Sequence, residues 1–214
     1  MIYGSGSNAA ITFAINSGII GATECTGFAR FITPASVTQV PLVRQDGAFT
    51  PLQIGGGNFV NIAAWPSGSI MVRYAWTVAG SKSYAHTGRF KSGIGADSRL
   101  FVDNTVYASG FGSNYGGSGS GAITSAGSLF PLLCVEDLTD NATGYYLSDV
   151  AIWTVSLTDN EVSSLEKGFS PRRVRPSALI VHVPLVRNIQ DVKRGLLPIT
   201  AQGVTPALHP RYYP

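Results

Sequence analysis

Hydrophobic and polar residues alternate through most of this chain. Ile11, Phe13 and Ile15 fall on one side of an extended segment. Ile70, Val72, Tyr74, Trp76 and Val78 do the same, with Met71, Arg73, Ala75 and Thr77 opposite, and Leu179, Val181, Val183 and Leu185 form a third set. A period of two marks β-strands with one buried face. Between the runs lie GGGN (55–58), PSGS (66–69), GSKS (80–83) and SGIGAD (92–97), all residues that favour turns. Residues 110–121, GFGSNYGGSGSG, cannot pack a core and read as a long exposed loop.

One segment breaks the pattern. In LSDVAIWTVSLTDNEVSSLEKGFSP (147–171), Thr158 and Glu161 have the spacing of a capping box, and Leu157 and Val162 that of a hydrophobic staple. Gly168 and Pro171 then stop the helix. Many short strands, frequent turns and one helix predict an all-β, two-sheet antiparallel sandwich. The expected layout is a sandwich over 1–185, with 178–185 as its closing strand. An extended, basic, proline-containing C-terminal arm is expected over 186–214, because Pro198, Pro206, Pro210 and Pro214 remove ladder donors.

Composition sharpens the picture in two ways. The 214 residues are 44% hydrophobic but only 13% charged, so the surface is furnished with Ser, Thr, Asn and Gly. Charge is also unevenly spread. From Lys167 to the C-terminus there are eight basic residues and one acid, Asp191, whereas the preceding chain holds seven basic and eleven acidic residues. Such asymmetry points either to a partner-facing basic segment or to a solvated basic face. Cys25 and Cys134 lack the spacing of a zinc site and read as buried thiols or one bridge. No signal peptide and no membrane-spanning apolar run is visible, so a membrane partner is not expected.

Several stretches resemble the laminin-G-like, concanavalin A-like jelly rolls. Residues 144–171 resemble their closing element, in which a D-V-x-I-W strand (here Asp149 to Trp153) precedes a capped helix and a glycine. SRLFVDNTVYASG (98–110) resembles their L-Y-V-D-G hairpin, with Asp103-Asn104 at the turn, and MVRYAWTVAG (71–80) their W-x-x-V-A strand. SALIVHVPLVRNIQDVKRGLLPITAQGV looks like the first strand of such domains, here placed last. The closing KGFSP…RP…PLVR…HPR also resembles laminin-G-like proteins of tailed bacteriophages.

That resemblance implies a non-enzymatic virion protein, in its concrete form a capsid decoration protein. It would be assembled in the host cytoplasm, carried on the particle surface as a homo-oligomer such as a trimer, and bound to the major capsid protein or another virion protein. The expected interface is Arg172, Arg173, Arg175, Arg187, Lys193, Arg194 and Arg211 with Tyr212, Tyr213 and Tyr115. The alternative is a carbohydrate-binding adhesin module of a tail fibre or spike, using Trp65, Asn114 and Tyr115, with Trp76 and Trp153 in the core.

Catalytic patterns are missing. There is no E-x-D-x-x-E strand, and Glu136-Asp137 leads into a turn. There is no G-x-S-x-G elbow and no HExxH, and His86, His182 and His209 are scattered. His182 is expected to be a partly exposed structural histidine. Several laminin-G-like domains hold calcium; Asp103, Asp137, Asp140 and Asn141 suit it by type but lack a fixed spacing, so no cofactor is expected. Nucleic acid is not an expected partner, since no recognised module accompanies the arginines.

Overall fold

The computed structural model describes residues 2–4, 10–14, 22–35, 40–45, 49–55, 59–64, 70–75, 79–92, 97–103, 105–109, 129–132, 144–185, 192–193, 195, 200–202 and 204–206. Among the described residues fifteen strands form two antiparallel sheets. The first holds β1 (Ile2–Gly4), β3 (Glu24–Ile32), β8 (Ser83–Lys91), β9 (Arg99–Val102), β10 (Thr105–Ser109), β12 (Tyr146–Trp153), β13 (Leu179–Val183) and β15 (Val204–Pro206). The second holds β2 (Ala10–Ala14), β4 (Val40–Gln45), β5 (Phe49–Gly55), β6 (Phe59–Ala64), β7 (Ile70–Ala75), β11 (Leu129–Leu132) and β14 (Thr200–Gln202). The first sheet runs β10-β9-β8-β3-β12-β1-β15, with β13 also paired to β12, and the second runs β14-β2-β11-β4-β5-β6-β7. This is the expected two-sheet, concanavalin A-like sandwich with one helix, α1 (Asp159–Glu166).

The two central strands β3 and β8 of the first sheet are buried on both faces. Strands β3 and β8 pair along their whole length, from Glu24 opposite Lys91 to Ile32 opposite Ser83, and each has seven consecutive buried residues. Towards the second sheet point Cys25, Phe31, Tyr84, His86 and Phe90, all buried. The Phe31 ring stands 5.8 Å from Tyr84 and 6.5 Å edge-on from His86. On the opposite face Phe28, Ala85, Phe101, Ala151 and Trp153 pack against Leu157, Val162, Leu165, Val174 and Leu179 from the helix and its flanks. A helix was needed because this outer face is apolar; Trp153 is fully buried there, its indole N–H donating to Val174 O at 2.8 Å.

Three expectations need correction. The first concerns residues 200–206, expected within an extended arm. Residues 200–202 form β14, paired with β2, and residues 204–206 form β15, paired with β1, one strand in each sheet. Both are edge strands, where Pro206 lacks a donor at little cost. Residues 2–4 and 204–206 therefore pair as β1 and β15, while 178–185 contributes β13, which lies beside β12. Of the rest of the expected arm only Val192, Lys193 and Gly195 are described; Pro198, Pro210 and Pro214 lie outside the described residues.

The second concerns the face shared by Leu179, Val181 and Val183. A register shift between Ile152 and Trp153 intervenes. Leu179 joins the helix-side cluster, while Val181 and Val183 oppose Ile152 and Val150. The third concerns His182, which is 3% exposed rather than partly exposed, with Nε2 2.9 Å from Asp149 Oδ1. Cys25 is a free, buried thiol whose pKa burial raises; Cys134, Trp76 and the 110–121 loop lie outside the described residues.

His86 is fully buried and, among the described residues, neither ring nitrogen has a hydrogen-bond partner. Burial lowers its pKa from 6.5 to about 3, so the folded chain stays neutral there while the unfolded chain takes up a proton below pH 6.5. Folding stability at this residue is therefore lost as pH falls below 6.5. Urea unfolding should show a falling midpoint between pH 7 and pH 5, where carboxylates stay ionised, and His86→Phe should flatten the change. An unchanged wild-type midpoint over that interval would contradict the assignment.

Candidate functional site

The helix is held to the first sheet by arginines at both ends. At its start, Arg89 on β8 donates from Nε to Asp97 O at 2.7 Å and from Nη1 to Leu157 O and Asp159 Oδ1, each at 2.6 Å. Arg99 on β9, paired opposite Arg89, donates to the other oxygen of Asp159 at 2.6 Å. Asp159 is the first helical residue, where a negative charge also meets the positive end of the helix dipole. At the far end Arg30 on β3 donates to Leu165 O at 2.8 Å, and Thr87 donates to Glu166 at 2.9 Å. Arg30 also lies 3.9 Å from Asp149, the carboxylate that meets His182. The two buried guanidiniums stack over aromatic rings, Arg30 on Phe28 at 5.4 Å and Arg89 on Phe101 at 5.3 Å.

The approach to the helix is equally constrained. Thr26 Oγ1 donates to Val155 O at 2.8 Å and accepts from Leu157 N at 3.0 Å, while Glu24 accepts from Ser156 N at 3.1 Å. Thr158 then forms both halves of the capping box with Glu161, and Leu157 and Val162 are both fully buried. Burial opposes the Glu161 charge, but the Thr158 hydrogen bonds and the ion pair with Arg175 outweigh it and hold its carboxyl below the ordinary value of 4.5.

These carboxylates are spent on structure. Asp159 faces two arginines, Glu161 an arginine and a cap, Glu166 a threonine, and Asp149 an arginine and a histidine. Among the described residues no group of three or more His, Cys, Asp or Glu comes together to hold a metal. Asp103, one calcium candidate, uses its carboxylate to accept from Ala85 N at 2.8 Å in the β9–β10 hairpin, a turn conformation with φ of 47°. Asp137, Asp140 and Asn141 lie outside the described residues.

Immediately after the helix the charge balance changes. Lys167, Phe169, Arg172 and Arg173 are exposed, with Arg172 and Arg173 on a 3-10 turn (Pro171–Arg173) whose flanking Pro171 and Val174 are buried. No acidic partner faces Arg172 or Arg173 among the described residues, whereas every other arginine with a described side chain has a hydrogen-bonded partner. Arg175, expected in the same interface, is instead committed to Glu161 and takes a left-handed backbone (φ 42°) that turns the chain towards β13. Lys193 donates to Pro176 O at 2.8 Å, so it joins this segment in space. Arg187, Arg194, Arg211, Tyr212, Tyr213 and Tyr115, with Trp65 and Asn114, lie outside the described residues. Sequence reasoning passed over Phe169, although an aromatic directly after a helix-closing glycine was a visible signal.

Comparison with known proteins places the fold. The architecture is shared with a proposed carbohydrate-binding protein from Bacteroides ovatus, at 16% identity and a TM-score of 0.67, covering 95% of this chain and 58% of that one. It is also shared with the binding domain of botulinum neurotoxin DC, solved in complex with SialylT, at 8% identity and a TM-score of 0.54, covering 76% of this chain and 40% of that one. A botulinum neurotoxin type C structure, from work tying cell entry to interaction with two ganglioside molecules, matches at 8% identity and 0.53, over 73% and 39%. The chain thus spans a little over half the length of the Bacteroides protein. No protein-family model and no curated protein matches the sequence.

The clamp under the helix makes a direct prediction. Arg89→Met removes the donors of two backbone carbonyls while Asp159, half-exposed, can rehydrate. The expected loss is about 2–3 kcal/mol of folding stability. Urea unfolding at neutral pH measures it, and an unchanged midpoint would show that the clamp is incidental.

Proposed function

We propose that this chain is a non-enzymatic binding module of a tailed-phage virion, a capsid decoration protein that docks on an acidic surface of the shell. The observation that carries the docking reading is the pair Arg172 and Arg173, exposed and without an acidic partner among the described residues, beside a scaffold whose other described arginines are engaged. Fixed, unpaired cations of this kind steer and orient an acidic partner. The phage assignment rests on the resemblance of residues 167–213 to laminin-G-like phage proteins. A ligand that binds the assembled shell and not its free subunits stabilises assembly by mass action. Presentation as a symmetric oligomer, with a trimer as the concrete form, would multiply weak contacts.

A second reading, a carbohydrate-binding adhesin module on a tail fibre or spike, is favoured by the fold shared with the proposed carbohydrate-binding protein of Bacteroides ovatus. Trp65, Asn114 and Tyr115 would then face the sugar. The two readings separate in one experiment. Purified protein is sedimented with undecorated capsids across a salt series, beside a parallel retention assay on host surface glycan. Saturable capsid binding that weakens with salt, and drops by about tenfold or more in Arg172→Glu/Arg173→Glu, is expected. Retention on glycan without capsid binding would replace the decoration reading with the adhesin.

A further inference from the structure

We propose that Phe169 is the apolar anchor of this docking surface, and that its partner is an acidic protein surface containing an apolar pocket. The inference rests on the docking reading above and adds the residue that would dominate its energy and the chemistry of its counterpart.

The geometry begins at the helix end. Gly168, with φ of 103°, donates to Leu165 O at 2.9 Å, and Phe169 N donates to Ser164 O at 3.0 Å. This is a Schellman closure, in which the residue in the position of Phe169 commonly packs back on an apolar residue in the last turn. Here the available positions are Ser163 and Ser164. Deprived of that local contact, the ring projects outward, and Phe169 is 54% exposed, the one large exposed hydrophobic among the described residues. Its backbone is fixed on both sides: Ser170 O accepts from Arg173 N at 2.9 Å, and Pro171 is buried. An aromatic side chain on a rigid stalk loses little conformational freedom on docking.

Charge selects the occupant. Lys167 precedes Phe169 by two residues, Arg172 and Arg173 follow within four, and no acid lies between Lys167 and Arg175. A second copy meeting this patch through a twofold axis would set cation against cation. A partner with carboxylates around an apolar depression matches both components. Aromatic residues at the centre with arginines beside them are also the usual composition of protein-binding hot spots.

The test uses the full chain and undecorated capsids, with bound protein measured after sedimentation for wild type, Phe169→Ala and Phe169→Trp. Phe169→Ala is expected to weaken binding by about tenfold or more, and Phe169→Trp to retain it, with unchanged thermal unfolding for both. Equal binding by wild type and Phe169→Ala overturns the anchor and leaves the docking reading standing. Absence of wild-type binding at every salt concentration overturns both. Phe169-dependent binding to vesicles of phosphatidylcholine and phosphatidylserine in equal parts, without capsid binding, overturns the protein partner in favour of a membrane.

Discussion

The Arg89 guanidinium carries the constraint on which the rest of this structure depends. It is almost wholly buried on β8, yet its charge is balanced by Asp159 and its N–H groups are taken by Asp97 O and Leu157 O. A buried cation is tolerable only when it is paired and hydrogen-bonded in this way. Satisfying it fixes the loop before the helix, the first helical residue and the outer face of the first sheet together. Arg30 performs the same service at the other end, where it shares the Leu165 carbonyl of the last turn with the Gly168 N–H. The helix is thus a lid over an apolar face, riveted by two arginines through the aromatic rings beneath them.

That construction also anchors the segment that follows the helix. Trp153 reaches from β12 to Val174 O, tying the strand to the residue that follows the 3-10 turn. Pro171 and Val174 are buried, so the turn presents Arg172 and Arg173 outward from an anchored base. Arg175, although basic and nearby, serves the helix cap through Glu161. Arg175, engaged within the chain, therefore lies within a few residues of Arg172 and Arg173, which face no acid among the described residues.

Much of the fold was legible in the sequence because it is local. The Thr158–Glu161 box, the Leu157–Val162 staple and Gly168 fix the helix within twelve residues, and Asp103 announces the hairpin between β9 and β10. Features that depend on distant pairing were not legible. Residues 200–206 read as an arm because prolines punctuate them, and only the partner strands β1 and β2 show that these are edge positions. The inversion of Leu179 relative to Val181 arises from a register shift against β12, which alternation alone cannot reveal. His182 seemed to belong outside because it alternates with apolar neighbours, but the face it occupies holds Asp149. At the candidate site the positive segment was visible by counting charge, whereas the separation of Arg175 from Arg172 and Arg173 required knowing where Glu161 stands.

The measurement that bears most directly on the account is an electron cryomicroscopy map of capsids saturated with the protein. The account predicts that residues 167–177 form the contact, with the Phe169 ring buried in the shell and Arg172 and Arg173 opposite carboxylates. A bound sandwich whose 167–177 segment faces solvent, with the contact made elsewhere, would contradict it.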